Sequence, residues 1–161
     1  DLGGGVRSHH RGLTFPDQFF ACDGVVDQKG VRLGQQARRS FCLGYRTIRG
    51  NDTDGNAYGE TIHLLYGLLA SPSEKARETV NSSPAATTFS WSCKSTPINA
   101  TGLKPVSSLE ISSDSVKAKA YKAVTDKLWG SEAEESTLLL PDELTALVAA
   151  NNEGQTSPRR R

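Results

Sequence analysis

The sequence predicts one helix-leaning α+β domain: about four helices, a small antiparallel sheet, an irregular N-terminal arm and a polar C-terminal tail. Three observations predict it. Several segments place apolar residues at spacings of three and four beside helix start and stop signals. Two segments instead alternate apolar and polar residues with a period of two. No internal repeat and no regular strand–helix–strand alternation runs through the chain, which disfavours a doubly wound fold.

Taken in order, residues 1–13 form an arm, residues 14–152 the packed body and residues 153–161 a basic tail. The arm carries three successive glycines, Gly3 to Gly5, which impose no backbone preference. Phe15, Phe19 and Phe20 begin the body, and Gly30 and Gly34 punctuate the stretch after them. Phe41 to Ile48 reads as a strand, with Phe41, Leu43 and Tyr45 on one face and Cys42, Gly44 and Arg46 on the other. Glu60 to Ala70 reads as a helix, because Ile62, Leu65, Tyr66 and Leu69 fall on one helical face. Ser71, Pro72 and Glu74 form a start signal for a second helix, with Ser71 as the cap.

Thr87 to Cys93 is the clearest strand, with Phe89, Trp91 and Cys93 on its core face. Val106 to Ile111 is a further strand. Asp114 to Trp129 is the strongest helix, with Asp114 as cap, Val116, Ala120, Val124 and Leu128 as its stripe and Gly130 as its stop. A last helix runs from Pro141 to Asn151, with Leu144, Leu147 and Val148 facing the core.

Composition limits the function classes. The chain has 161 residues, of which 36% are apolar, enough for one modest core without cross-links. No apolar run reaches the length of a membrane helix, and no signal-peptide pattern opens the chain. The chain contains no Met, so Asp1 is expected to be a processed or trimmed end. Net charge is +1. Eight Lys and Arg against four Asp make the first 50 residues basic, at +4, and the remainder −3.

Four features of the sequence point to chemistry. Asn51-Asp52-Thr53, Asn81-Ser82-Ser83 and Asn99-Ala100-Thr101 are N-glycosylation acceptors in loop-like segments. Asp52, Asp54 and Asn56 begin a calcium-loop pattern that continues through Tyr58 and Glu60. That pattern has Ala57 where the turn wants Gly and His63 where a bidentate Glu belongs, so calcium is the weaker reading and no cofactor is expected. Arg32, Arg38, Arg39, Arg46 and Arg49, with the terminal Arg159, Arg160 and Arg161, supply cations for a nucleic-acid or protein partner. Cys22 and Cys42 are close enough in sequence to pair, which would place the chain outside the cytosol; reduced thiols would favour an assembly role.

No catalytic set is legible. There is no G-x-S-x-G, no local cysteine-nucleophile signature, no P-loop and no dinucleotide fingerprint. Glu60 and His63 make one E-x-x-H step without the second copy that a di-iron bundle needs. An enzyme would need His63 to meet Cys42 or Cys93. The expected function is therefore a non-enzymatic structural or interaction domain, extracellular or surface-exposed and N-glycosylated, with other protein chains as partners in an oligomer. The alternative is an assembly subunit of a larger particle, a virus coat or an organellar complex. In that reading the arginine-rich segment and the arms contact nucleic acid or neighbouring subunits.

Overall fold

The computed structural model describes residues 5–11, 17–50, 58–75 and 88–152. The chain divides into two compact units: Asp1–Cys42 with Tyr66–Pro97, and Leu43–Leu65 with Ile98–Arg161. Its strands are β1 (Gly5–Arg11), β2 (Val26–Gln28), β3 (Val31–Leu33), β4 (Phe41–Ile48), β5 (Glu60–Lys75), β6 (Thr88–Ser95) and β7 (Ser108–Ser112). Its α-helices are α1 (Phe20–Asp23), α2 (Ala118–Trp129) and α3 (Pro141–Asn152). The described residues are thus α+β with more strand than helix, which corrects the helix-leaning, four-helix expectation.

The largest correction is β5. Instead of a helix over 60–70 and a second one begun at Ser71, one strand runs from Glu60 to Lys75. Ile62, Leu64, Tyr66, Leu68 and Ala70 are all at most 2% exposed, a period of two that only an extended chain produces. The helical spacing of Ile62, Leu65, Tyr66 and Leu69 arose because Leu65 and Leu69 stand on the opposite face; Leu69 is 41% exposed. Pro72 sits in the strand where the pairing with β6 shifts register, between Pro72 and Lys75, the kind of irregularity that tolerates a residue without an N–H.

In the first unit β6 pairs antiparallel with both β1 and the second half of β5. The expected irregular arm is therefore a strand over Gly5–Arg11. Cys93 is buried on β6, while the side chains of Phe89 and Trp91 lie outside the described set. Gly67 turns the backbone of β5 with φ +59°, and its missing Cβ makes room for the Thr96 carbonyl. The Thr96 N–H donates to the Gly67 carbonyl at 2.9 Å. Strands β2 and β3 form a separate hairpin. Its Lys29-Gly30 turn has φ of 54° and 88°, the mirror-image turn that matches strand twist. The Gly30 N–H donates to Asp27 Oδ1 at 2.9 Å. Phe19 meets Phe41 edge-to-face, with centroids 5.1 Å apart.

In the second unit the first half of β5 pairs with β4 and, antiparallel, with β7. Helices α2 and α3 pack on one another, with Ala120, Val124 and Leu144 buried. Helix α2 begins at Ala118, not Asp114. The Lys117 N–H donates to Asn152 Oδ1 at the end of α3 (2.8 Å), and Asp114 accepts from Arg49 instead of capping. Gly130 ends α2 with φ +81°. Helix α3 opens at Pro141 as its sequence predicts, and the Leu140 N–H donates to Glu143 Oε2 at 3.0 Å, one half of a capping box.

Candidate functional site

Among the described residues of the second unit a polar row runs across three strands. His63 on β5 stands directly opposite Glu110 on β7, and its Nδ1 lies 3.1 Å from Glu110 Oε1. Its Nε2 lies 2.9 Å from Thr47 Oγ1 on β4, and Tyr45 stacks on the imidazole with centroids 4.7 Å apart. A carboxylate at Nδ1 selects the tautomer that carries its proton there. Nε2 then accepts from the Thr47 hydroxyl. The order hydroxyl, imidazole, carboxylate is that of an activated nucleophile, although neither described cleft, one over residues 129–136 and one along α3, is lined by these residues.

Tyr45 is 43% exposed and belongs to the sheet's outer face rather than the core. The partners of His63 are Thr47 and Glu110 rather than a cysteine. Glu60, expected to share a helix face with His63, instead pairs with Arg46 at 3.1 Å and accepts from the Tyr121 hydroxyl at 3.4 Å. Burial and the Glu60 carboxylate push the Tyr121 phenol up. Thr47, Glu110 and Tyr45 were invisible as a group because strand register, not sequence spacing, brings them together.

The arginines are largely engaged within each unit. Arg49 pairs with Asp114 at 2.8 Å. Arg32 lies 3.8 Å from Asp17, 3.7 Å from Asp27 and over the Phe20 ring at 4.4 Å. Arg38 donates to the Ala70 carbonyl at 3.2 Å. Arg39 lies near Cys22, where its charge opposes the burial that raises the thiol. Arg159, Arg160 and Arg161 lie outside the described residues.

Cys22, Cys42 and Cys93 stand as free cysteines in the structure, which shows no disulfide between Cys22 and Cys42. Burial pushes the Cys93 thiol up. Asn99 is exposed, and its acceptor Thr101 donates its hydroxyl to Asp142 Oδ2 (2.7 Å) and its N–H to Asp142 Oδ1 (2.9 Å). Asn51 and Asn81 lie outside the described residues, as do Asp52, Asp54 and Asn56 of the calcium reading. Among the described residues no group of three or more His, Cys, Asp or Glu is placed to hold a metal. No described helix is long and apolar enough to cross a membrane.

The remaining feature is apolar exposure. Among the described residues eleven large hydrophobic side chains are exposed against twelve buried hydrophobic residues. In the first unit every residue of the β2–β3 hairpin is exposed. Asp27 and Arg32 share one of its faces, and Val26, Val31 and Leu33 share the other. In the second unit an apolar groove of about 590 Å³ runs along α3, lined by Leu103, Val106, Leu109, Pro141, Ala146 and Ala149 among others. No protein-family model, no curated protein and no solved structure matches the chain.

Proposed function

We propose that the protein is a non-enzymatic assembly subunit whose exposed apolar side chains are covered by neighbouring protein chains. The observation that carries this reading is the near-equality of exposed large hydrophobics and buried core residues. Single exposed leucines are ordinary, but bare apolar faces on both units are a feature of interaction surfaces. The hairpin is the sharpest instance. Two strands alone are marginal in water, and its Val26, Val31 and Leu33 side chains are all more than 40% exposed.

The ion pairs of Arg32, Arg46 and Arg49 favour protein over nucleic acid as the partner. A cation already held by a carboxylate offers less to a phosphate, and counterion release scales with the phosphates neutralised. Velocity sedimentation of the full chain across a concentration series tests the reading. Concentration-dependent growth of the sedimenting species is expected. A single monomeric species at every concentration overturns it.

A second reading, a surface-exposed N-glycoprotein outside the cell, is favoured by the exposure of Asn99. Its test is the intact mass after secretion from a glycosylating host. A hexose-rich adduct lost in Asn99→Gln supports it; an unmodified mass removes it.

A further inference from the structure

We propose that the α3 groove of the second unit receives an N-linked glycan carried by Asn99, with the first N-acetylglucosamine lying along the groove. This deepens the glycoprotein reading and rests on it. Asn99 is exposed, and the two residues that complete its acceptor, Ala100 and Thr101, both line the groove. The groove holds about 590 Å³, a size typical of sites for small ligands.

Local structure holds the acceptor against the groove from both sides. Before it, the Ile98 N–H donates to the Val106 carbonyl and the Val106 N–H to the Ile98 carbonyl, both at 2.9 Å, and Val106 belongs to the lining. After it, Thr101 donates its N–H to Asp142 Oδ1 at 2.9 Å and its hydroxyl to Asp142 Oδ2 at 2.7 Å. Those two bonds tie the acceptor to the first turn of α3. The Leu103 N–H donates to the Ala100 carbonyl at 3.1 Å, a turn that makes Leu103, 75% exposed, one wall of the groove. A sugar on Asn99 therefore starts one residue, about 3.8 Å along the chain, from the lining.

Tethering and chemistry select this occupant. Twelve helical residues span only about 18 Å, so the groove falls short of the roughly 800 Å² per partner of a standard protein interface. A glycan joined covalently at its rim needs no such area. The tether gives it an effective concentration in the millimolar range, so a weak contact keeps the groove covered. A pyranose carries C–H groups on its faces and hydroxyls around its edge, and the acetamido group of N-acetylglucosamine adds a methyl. Leu103, Val106, Leu109 and Pro141 offer apolar surface to those C–H groups. Ala146 and Ala149 are exposed on α3, which leaves one side open where sugar hydroxyls stay in water. The lining calls for no charged ligand. Both Asp142 oxygens are taken by Thr101, the Thr145 hydroxyl donates to the Pro141 carbonyl at 2.7 Å, and Ser108 adds a neutral hydroxyl.

The test uses the full chain with Asn51→Gln and Asn81→Gln, secreted from a glycosylating host, so that Asn99 is the acceptor left. Intact mass reads its occupancy. Nuclear Overhauser contacts are then sought between the first N-acetylglucosamine and the methyl groups of Leu103, Val106 and Ala149. Those contacts are expected, with a Tm about 2–4 °C above that of the same chain carrying Asn99→Gln. The same substitution in chains made without glycosylation gives the side-chain effect alone, which is subtracted. Ala149→Glu and Leu103→Ala change exposed positions, and Glu is a good helix former, so the fold, checked by circular dichroism, is retained. Each is expected to cut the Tm gain from the glycan by about half or more, as neighbours that interact do. An occupied Asn99 without sugar–methyl contacts overturns the groove while leaving the glycoprotein reading intact. An unmodified mass overturns both.

Discussion

His63 and Glu110 face one another across β5 and β7, imidazole Nδ1 to carboxylate oxygen at 3.1 Å, and Thr47 completes the row at 2.9 Å on the other nitrogen. The Glu110 side chain is 68% exposed and that of His63 only 17%, so the two ends of this bond differ in weight. Solvent screening holds the exposed carboxylate's contribution to about 0.5 kcal/mol or less. His63→Ala also removes the Tyr45 stacking partner and the shorter of the two bonds of the Thr47 hydroxyl, which keeps the Thr61 carbonyl at 3.4 Å, a loss of about 1–2 kcal/mol.

Urea denaturation of His63→Ala, Glu110→Ala and the double variant is expected to show that order, with a coupling of about 0.5 kcal/mol. Because the row is structural in the assembly reading, p-nitrophenyl acetate hydrolysis is expected to match buffer. Turnover abolished by both Thr47→Ala and His63→Ala would make Thr47 a nucleophile and defeat that reading.

Gly67 and Gly44 make a matched pair of tests. A Cβ at Gly67 would stand 2.2 Å from the Thr96 carbonyl oxygen, at a backbone φ of +59° that disfavours L side chains. A Cβ at Gly44 would stand 3.1 Å from the Leu64 Cδ2 atom, the end of a rotatable side chain. Gly67→Ala is expected to cost about 3 kcal/mol, since backbone must move. Gly44→Ala should cost about 1 kcal/mol or less. Equal midpoints in a chemical melt would show that β5 does not turn at Gly67.

Leu68 and Leu69 are adjacent in sequence but 1% and 41% exposed. Leu68→Ala is expected to cost about 3 kcal/mol and Leu69→Ala under about 1 kcal/mol, read from thermal or urea melts. The contrast tests the strand itself, because on the helix that the spacing suggested Leu69, not Leu68, faced the core.

That inversion shows what the sequence made legible and what it hid. The β4 and β6 segments could be read because their large apolar residues alternate with smaller or polar ones, and α2 and α3 because charges mark the outer face of one and Pro141 the start of the other. The β5 segment could not, because Leu65 and Leu69 place apolar residues on both of its faces and so match two periods at once. The His63 row was illegible for a different reason. Its partners lie 16 and 47 residues away, and only strand register brings them together. The groove was hidden similarly, since Leu103 comes from a loop and Ala149 from a helix.

The cysteines offer a direct chemical check. With all three thiols free, alkylation in denaturant without reductant is expected to add three labels per chain. Under native conditions Cys93, buried and with its thiol raised, should react slowest, because the thiolate is the reactive form. One label in denaturant would instead reveal a bridge.

Asp114 and Asp142 differ in how they respond to acid and salt. The Arg49 guanidinium, hydrogen-bonded to Asp114, holds that carboxyl below its ordinary range, and the Thr101 hydroxyl and N–H do the same for Asp142. A carboxyl depressed in the folded state stabilises the protein above its unfolded value, about 3.9. That stabilisation is lost as pH falls through the lower folded value. Asp114→Asn and Asp142→Asn should therefore each lower Tm by a constant amount between about pH 5 and 8, and the gap to wild type should close in stronger acid. Salt separates the two. The Asp114 gap should shrink in about 1 M NaCl, where an exposed ion pair is screened within about 3 Å. The Asp142 gap should persist, because its donors are neutral. Melts from about pH 7 to 2 at low and high salt read both effects, and a gap that widens in acid for either residue contradicts the corresponding hydrogen bond.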